Sequence, residues 1–282
     1  MNRFHTIALD IDGTLLNSHH VITPKTSHLI QKISQQLQVL LVTGRHHQMA
    51  LPIYQQLNLS TPMICGNGAY VFDPNSHEIF GTPLQEANWR FVLNVASNLN
   101  FDSMCHFSSG IGHNPENIHV RKISGYIDSF FTLSNRPRFF SADDLQRLCA
   151  SQPQVWKIEL HGKDDVSVSY FIESVQQNEQ ITIDQTGPLS LEIVNKGCSK
   201  GNRLTEYLQS SGLSSDQVVA FGDNFNDLSM FKQVGLGIAM GNAHPDVQDA
   251  AHHVTASNDE DGIAIGLLKF WDQLELTGSS KE

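Results

Sequence analysis

Cysteine, basic side chains and long apolar runs are all scarce in this chain of 282 residues. The four cysteines, Cys65, Cys105, Cys149 and Cys198, are scattered with no C-x-x-C pair, which argues against a disulfide scaffold and against a cysteine-ligated zinc site. Lysine and arginine number 18 against 29 aspartates and glutamates, a net charge of −11, so nucleic acids and anionic membranes are poor partners. Hydrophobic residues make up 40% of the chain, yet no stretch is long enough to span a bilayer. Met1-Asn2-Arg3-Phe4-His5 leads straight into a predicted strand and lacks the apolar core of a signal peptide, so the expected location is cytoplasmic. There is no Walker sequence, and Gly235, Gly237 and Gly241 do not fit the dinucleotide fingerprint. Internal repeats and low-complexity tracts are also missing.

What is present is alternation. Strand patterns at 5–10, 39–42, 63–65, 217–221 and 237–239 interleave with helical patterns at 24–37, 46–57, 200–208, 228–233 and 261–274. A hairpin is expected through 69–72 and 78–80, and residues 277–282 should fray. Such alternation predicts an α/β fold with a doubly wound parallel sheet. Ligands then bind beyond the carboxyl ends of the strands. Trp89, Trp156 and Trp271 are expected to fill cores.

Four segments carry chemistry. Ile7-Ala8-Leu9 runs into Asp10-Ile11-Asp12-Gly13-Thr14, which puts two carboxylates two residues apart at a strand end. One carboxylate there can attack phosphorus, and its neighbour can move protons; a surface turn uses the same residue types. Leu40-Leu41-Val42 ends in Thr43-Gly44-Arg45, a hydroxyl and a glycine amide suited to a phosphate oxygen, or a plain strand-to-helix turn. Ser199 reads as a helix N-cap, which puts Lys200 in a first turn where the dipole disfavours a cation unless an anion is held there too. Val218 to Phe221 leads into Gly222-Asp223-Asn224-Phe225-Asn226-Asp227, where Asp223 suits a hard cation, Asn226 a phosphate oxygen and Asp227 an orienting role.

In this order, Asp10-Ile11-Asp12-Gly13-Thr14, Thr43, Lys200 and Gly222-Asp223 with Asn226-Asp227 resemble the haloacid dehalogenase-like (HAD) phosphatases. Ala239-Met240-Gly241-Asn242-Ala243 and Asp259-Glu260-Asp261-Gly262-Ile263-Ala264 are similar to the Cof-type branch. The resemblance covers residues 4–82 and 195–270. The stretch from Thr43 to Lys200 exceeds what a core needs by roughly 100 residues, a typical small domain. A HAD-like core over 1–83 and 193–282 with an inserted α/β cap over 84–192 is therefore expected.

The resemblance implies a two-step phosphate monoester hydrolysis. Asp10 is the nucleophile and Asp12 the general acid and base. Mg2+ is held by the carboxylates of Asp10 and Asp223 and the carbonyl of Asp12. The Ile11 amide, Thr43, Gly44, Lys200 and Asn226 hold phosphoryl oxygens, with Asp227 behind them. Thr43-Gly44-Arg45-His46-His47 and Val219 to Asn226 further resemble the pyridoxal phosphate phosphatases of that branch. Pyridoxal 5′-phosphate is thus the leading substrate expectation, with sugar phosphates or flavin mononucleotide next. A phosphotransferase and a non-catalytic phospho-ligand sensor are the rival classes, although a sensor would need neither Asp10 nor Asp12. Most of the 14 histidines read as surface or loop residues, since adjacent pairs point apart. Arg45, His46 and His47 are the exceptions that could face a substrate.

Overall fold

The computed structural model describes residues 4–132 and 136–274. The expected fraying at 277–282 lies outside them. The chain divides into two compact units, one of residues 1–44, 53–78 and 199–282, the other of 45–52 and 79–198.

The first unit opens with β1 (Thr6–Leu9), α1 (Pro24–Ile33), β2 (Gln38–Leu41), α2 (His47–Gln56), β3 (Met63–Cys65) and β4 (Tyr70–Phe72). Helix α2 straddles the division between units. Thr23 caps α1 through its hydroxyl, with Pro24 at the first helical position, where its missing N–H costs nothing. α1 is four residues shorter than its apolar pattern suggests, because the Gln36 and Leu37 amides both turn back onto the Ile33 carbonyl. β3 and β4 form an antiparallel hairpin, and the Asp73 amide closes the next turn on the Glu78 carbonyl.

The second unit holds β5 (Ile79–Gly81), α3 (Glu86–Asn98), β6 (Asp102–His106), β7 (Ile111–His113), α4 (Ile118–Phe130), β8 (Phe139–Ser141), α5 (Leu145–Ala150), β9 (Lys157–His161), α6 (Asp165–Val175), β10 (Ile181–Gly187) and β11 (Ser190–Asn195). Its six-stranded sheet runs β10-β11-β9-β6-β7-β8 and is antiparallel except between β7 and β8. Strand alternation sends Cys105, Ile158, Leu160, Leu191 and Ile193 into a core with Trp89, Val92 and Phe171 of α3 and α6. The residues between them, His106, Lys157, Glu159, His161 and Glu192, share the other face.

The chain then returns to the first unit with α7 (Lys200–Ser210), β12 (Val218–Gly222), α8 (Leu228–Phe231), β13 (Leu236–Ala239), α9 (Pro245–Asp249), β14 (His253–Val254) and α10 (Gly262–Lys269). The sheet order is β14-β13-β12-β1-β2, all parallel. β1 is buried along its whole length, as a central parallel strand must be when helices cover both faces. Ala8, Leu40 and Ala220 pack with Leu204 and Leu208 of α7. On the other face Phe221 meets α10 so closely that a Cβ on Gly266 would lie 2.7 Å from its ring. This is the expected α/β fold with a parallel, doubly wound core. All three tryptophans are buried.

Two more helices end earlier than their periodicity predicts. After a 3-10 turn at Phe225–Asp227, in which Asn224 and Asp227 cap each other, α8 begins at Leu228 as expected but ends at Phe231, where the Gln233 and Val234 amides both turn back onto the Met230 carbonyl. α10 stops at Lys269, and a separate 3-10 turn at Trp271–Gln273 seats Trp271 in the core.

Candidate active site

β1 ends at Leu9, but the Asp10 amide still donates to the Phe221 carbonyl (3.1 Å), which carries the sheet one residue further and fixes the aspartate at its edge. The chain then turns sharply. Gly13 has φ +76°, and a Cβ there would sit 2.3 Å from an Asp223 carboxylate oxygen, so only glycine admits that carboxylate. Beyond the turn, Leu15 and Leu16 both donate to the Ile11 carbonyl, and the Thr14 hydroxyl donates to Asp223 Oδ1 (2.7 Å). Ile11 is fully buried and Asp12 is exposed.

Asp223 follows the last residue of β12. One turn later Asp227 points back: its Oδ2 accepts from the Asp223 and Asn224 amides, both at 3.0 Å. Its Oδ1 accepts from Lys200 Nζ at 2.7 Å, and the same ammonium donates to Asp10 Oδ1 at 2.5 Å. Lys200 is the first residue of α7, behind the N-cap Ser199. The anions that offset the dipole there are thus two buried carboxylates. Asp10, Lys200 and Asp227 are at most 5% exposed.

Charge in this cluster is unbalanced. Burial pulls the Lys200 ammonium down, but Asp10 and Asp227 outweigh burial and raise its pKa, so it stays protonated. Burial also pushes the Asp10 carboxyl well above its ordinary value; Lys200 opposes, while Asp227 and Asp223 add to the rise. Asp223 is raised to about 6, first by burial, with the Thr14 hydrogen bond working against it. Oxygens of Asp10, Asp223 and Asp227 lie within 4.8 Å of one another. Three carboxylates against one ammonium form an all-oxygen, electron-rich donor set, which fits a hard divalent cation.

Thr43 and Asn226 are joined through Asn67, which the sequence places in a tight turn near the site but to which it assigns no role. Asn67, in the tight turn after β3, has φ 55° and is buried. Its amide donates to the Thr43 carbonyl (3.1 Å), and its Oδ1 accepts from Asn226 Nδ2 (3.2 Å). The turn is locked from α7: a Cβ on Gly68 would lie 2.1 Å from the Ser199 carbonyl oxygen, and Arg203 Nε donates to the Gly68 carbonyl (2.9 Å). The only sequence signal was the Gly-Asn-Gly triplet. Asn242 was likewise given no role. Its side chain donates to the Gly13 carbonyl (2.9 Å) and accepts from the Asn258 amide (3.0 Å), which ties the Asp10 loop to the loop after β13.

Gly44 is the last residue before the chain passes into the second unit, to which Arg45, His46 and His47 belong. His46 is buried, with Nε2 2.7 Å from the Phe107 carbonyl oxygen. Burial, then His47 and His106, hold its pKa well below the ordinary value. His47 falls to about 3, through burial first and His106 second.

The sequence profile of the haloacid dehalogenase-like hydrolases matches residues 7–267. The chain belongs to that family. It is a phosphatase of the HAD superfamily. It is 31% identical over 260 residues to the pyridoxal phosphate phosphatase YbhA of Escherichia coli, covering 92% of this chain and 95% of that protein. It is 26% identical over 268 residues to the 5-amino-6-(5-phospho-D-ribitylamino)uracil phosphatase YcsE of Bacillus subtilis, 94% of each chain. In structure it is similar to a haloacid dehalogenase-like hydrolase from Bacteroides thetaiotaomicron, with a TM-score of 0.82 at 25% identity, over 95% of this chain and 100% of that one. HAD phosphatases generally use a divalent metal. Among the described residues no helix is long and apolar enough to cross a membrane.

Proposed function

We propose that this phosphatase hydrolyses phosphate monoesters of small metabolites through an aspartyl-phosphate on Asp10, with pyridoxal 5′-phosphate as its best substrate. The observation that carries the reading is the Lys200 ammonium held between Asp10 and Asp227 with Asp223 beside them.

Asp10 attacks phosphorus in line, and the P–O bond to the leaving group breaks. Asp12, exposed next to it, protonates the departing oxygen. The same carboxylate then takes a proton from water as that water attacks the aspartyl-phosphate, which releases phosphate and restores Asp10. The Ile11 amide, Thr43, Gly44, Lys200 and Asn226 hold the phosphoryl oxygens. Positioning and charge neutralisation supply most of the acceleration. Mg2+ held by the Asp10 and Asp223 carboxylates and the Asp12 carbonyl would neutralise charge that one lysine cannot. Asp227 acts from behind by fixing Lys200 and the Asp223 amide.

The likeness to YbhA supports the substrate assignment, and the likeness to YcsE supports a second reading, a flavin-precursor phosphatase. Sugar phosphates and flavin mononucleotide complete the set of candidate esters. The second unit, which contains all of 84–192, acts as the cap that selects among them. Four buried cysteines without a disulfide among the described residues fit a reducing, cytoplasmic setting.

The test is phosphate release from a panel of phosphometabolites with Mg2+. Pyridoxal 5′-phosphate should give the highest kcat/KM. A higher value for 5-amino-6-(5-phospho-D-ribitylamino)uracil would favour the second reading. Phosphoryl transfer to an added alcohol in preference to water would make the enzyme a transferase, and no turnover of any ester would leave the sensor.

A further inference from the structure

The second unit carries a side-chain cluster that phosphoryl transfer on Asp10 does not use. Glu159 and His161 are two apart on β9 and so project from the same sheet face. The first turn of α4 brings His119 over them: the His119 and His161 rings stack with centroids 4.1 Å apart and planes 11° apart. One nitrogen from each imidazole and one oxygen of Glu159 all lie within 4.8 Å of one another.

A second observation points to a ligand. His161 Nδ1 is 3.1 Å from the Ser190 hydroxyl. Its other nitrogen, Nε2, is buried and has no hydrogen-bond partner among the described residues. With Nδ1–H donating to Ser190, Nε2 is a bare lone pair out of reach of bulk water, which is unfavourable if nothing fills it. A histidine fixed through one ring nitrogen with the other unpartnered is the arrangement in which imidazole ligates metals. Glu159 is compatible with this. Among the described residues its two donors, Lys157 Nζ at 2.7 Å and His106 Nε2 at 3.0 Å, both fall on Oε1, so Oε2 remains for a ligand. Lys157 is a neighbouring cation, but it also pairs with Glu192 (2.9 Å), so Glu159 and Glu192 together outweigh it.

We propose that His119, Glu159 and His161 form a binding site for a transition-metal ion of the Zn2+ class. Two nitrogens and one oxygen suit borderline metals and not Mg2+ or Ca2+, which take all-oxygen sets. Three protein ligands leave a fourth position for water. Donor atoms around tetrahedral zinc are roughly 3.4 Å apart, from bonds of about 2.0–2.2 Å, so the cluster closes by side-chain rotation of half-buried groups. Such an ion would pin the start of α4 to β9.

The experiment is equilibrium dialysis of the untagged, chelator-stripped full chain against micromolar Zn2+, with millimolar Mg2+ present to occupy the carboxylate site of the first unit. One zinc per chain is expected. Co2+ in its place should show the intense ligand-field absorption of a four-coordinate site. His119→Ala and His161→Ala should each weaken zinc binding roughly tenfold or more, and Asp223→Asn should leave the stoichiometry unchanged. Circular dichroism checks that each variant is folded, and the Co2+ spectrum of the unaltered protein needs no variant at all. Failure of the unaltered chain to bind zinc saturably would overturn the proposal. So would equal affinity in folded histidine variants, or loss of the zinc in Asp223→Asn.

Discussion

Lys200 is the residue on which the first unit's chemistry and its stability meet. Among the described residues its ammonium is the one positive charge bonded to both Asp10 and Asp227. Removing it leaves two buried carboxylates uncompensated, a change that costs about 3–5 kcal/mol. Lys200→Ala should therefore lower the unfolding midpoint as well as kcat/KM, and should depress every ester alike, because all share the phosphoryl group. Loss of one substrate with the others spared would contradict its assignment as a phosphate-binding residue. Asp10→Asn is the complementary change. It keeps shape while removing the proposed nucleophile, so kcat should fall by ~10^4-fold or more with the fold intact; near-normal hydrolysis in a folded Asp10→Asn protein would exclude the aspartyl-phosphate. Asp223 sets the pH dependence. Its carboxyl is raised to about 6, so protons compete with a cation as pH falls through that value. Mg2+ affinity, measured by titration calorimetry, should weaken from pH 7 to pH 5, and a flat profile would contradict Asp223 as a ligand.

At the scale of elements, strand ends were legible because an apolar run that stops abruptly at Asp or Thr-Gly is a local signal. Asp10 and Asp223 could be placed at the edge of a parallel sheet for that reason, and Lys200 at a helix start because Ser199 is an ordinary N-cap. The Thr43–Asn67–Asn226 linkage was not legible. It depends on a left-handed asparagine meeting side chains and backbone far away in sequence, and no periodicity records that. The length of α10 was overestimated for a related reason: apolar spacing continues through the 3-10 turn at Trp271–Gln273. Close packing between elements also leaves single positions with no tolerance. A Cβ on Gly201 of α7 would lie 2.0 Å from the Ser229 carbonyl oxygen, a backbone atom that cannot swing aside. Gly201→Ala should thus destabilise by about 1–3 kcal/mol, although alanine is the better helix former. Urea unfolding measures this, and a stabilised variant would show that α7 can shift away from α8.

At the scale of the whole molecule, pH acts on the second unit through its buried histidines. His46, His47, His106 and His161 all have lowered pKa values, with burial the first cause in each. Their unfolded value is near 6.5, while His47 falls to about 3 and His161 to about 4. Between those limits the unfolded chain binds protons at these imidazoles that the folded chain does not, so their contribution to stability falls as pH drops below 6.5, while the raised Asp10 and Asp223 carboxyls act in the opposite sense. The slope approaches ~1.4 kcal/mol per pH unit for each fully shifted histidine. The denaturation midpoint should drop steeply from pH 6.5 to 4, and His47→Gln should flatten part of that slope. Unchanged stability over this range would mean that these imidazoles accept protons in the folded state.

The order of the central sheet has a consequence for how the protein is made. β1 lies between β2 and β12, yet β12 begins only at Val218. A ribosome adding about 5–20 residues per second spends on the order of 10–35 s between releasing β2 and releasing β12. Throughout that interval the nascent chain carries an apolar strand with one edge unpaired, and Asp10 lacks the carboxylates of Asp223 and Asp227. Residues 79–198 emerge as an unbroken run in the meantime. The central sheet is therefore the last part of the molecule to close, and a nascent-chain chaperone would find its binding site at residues 6–9.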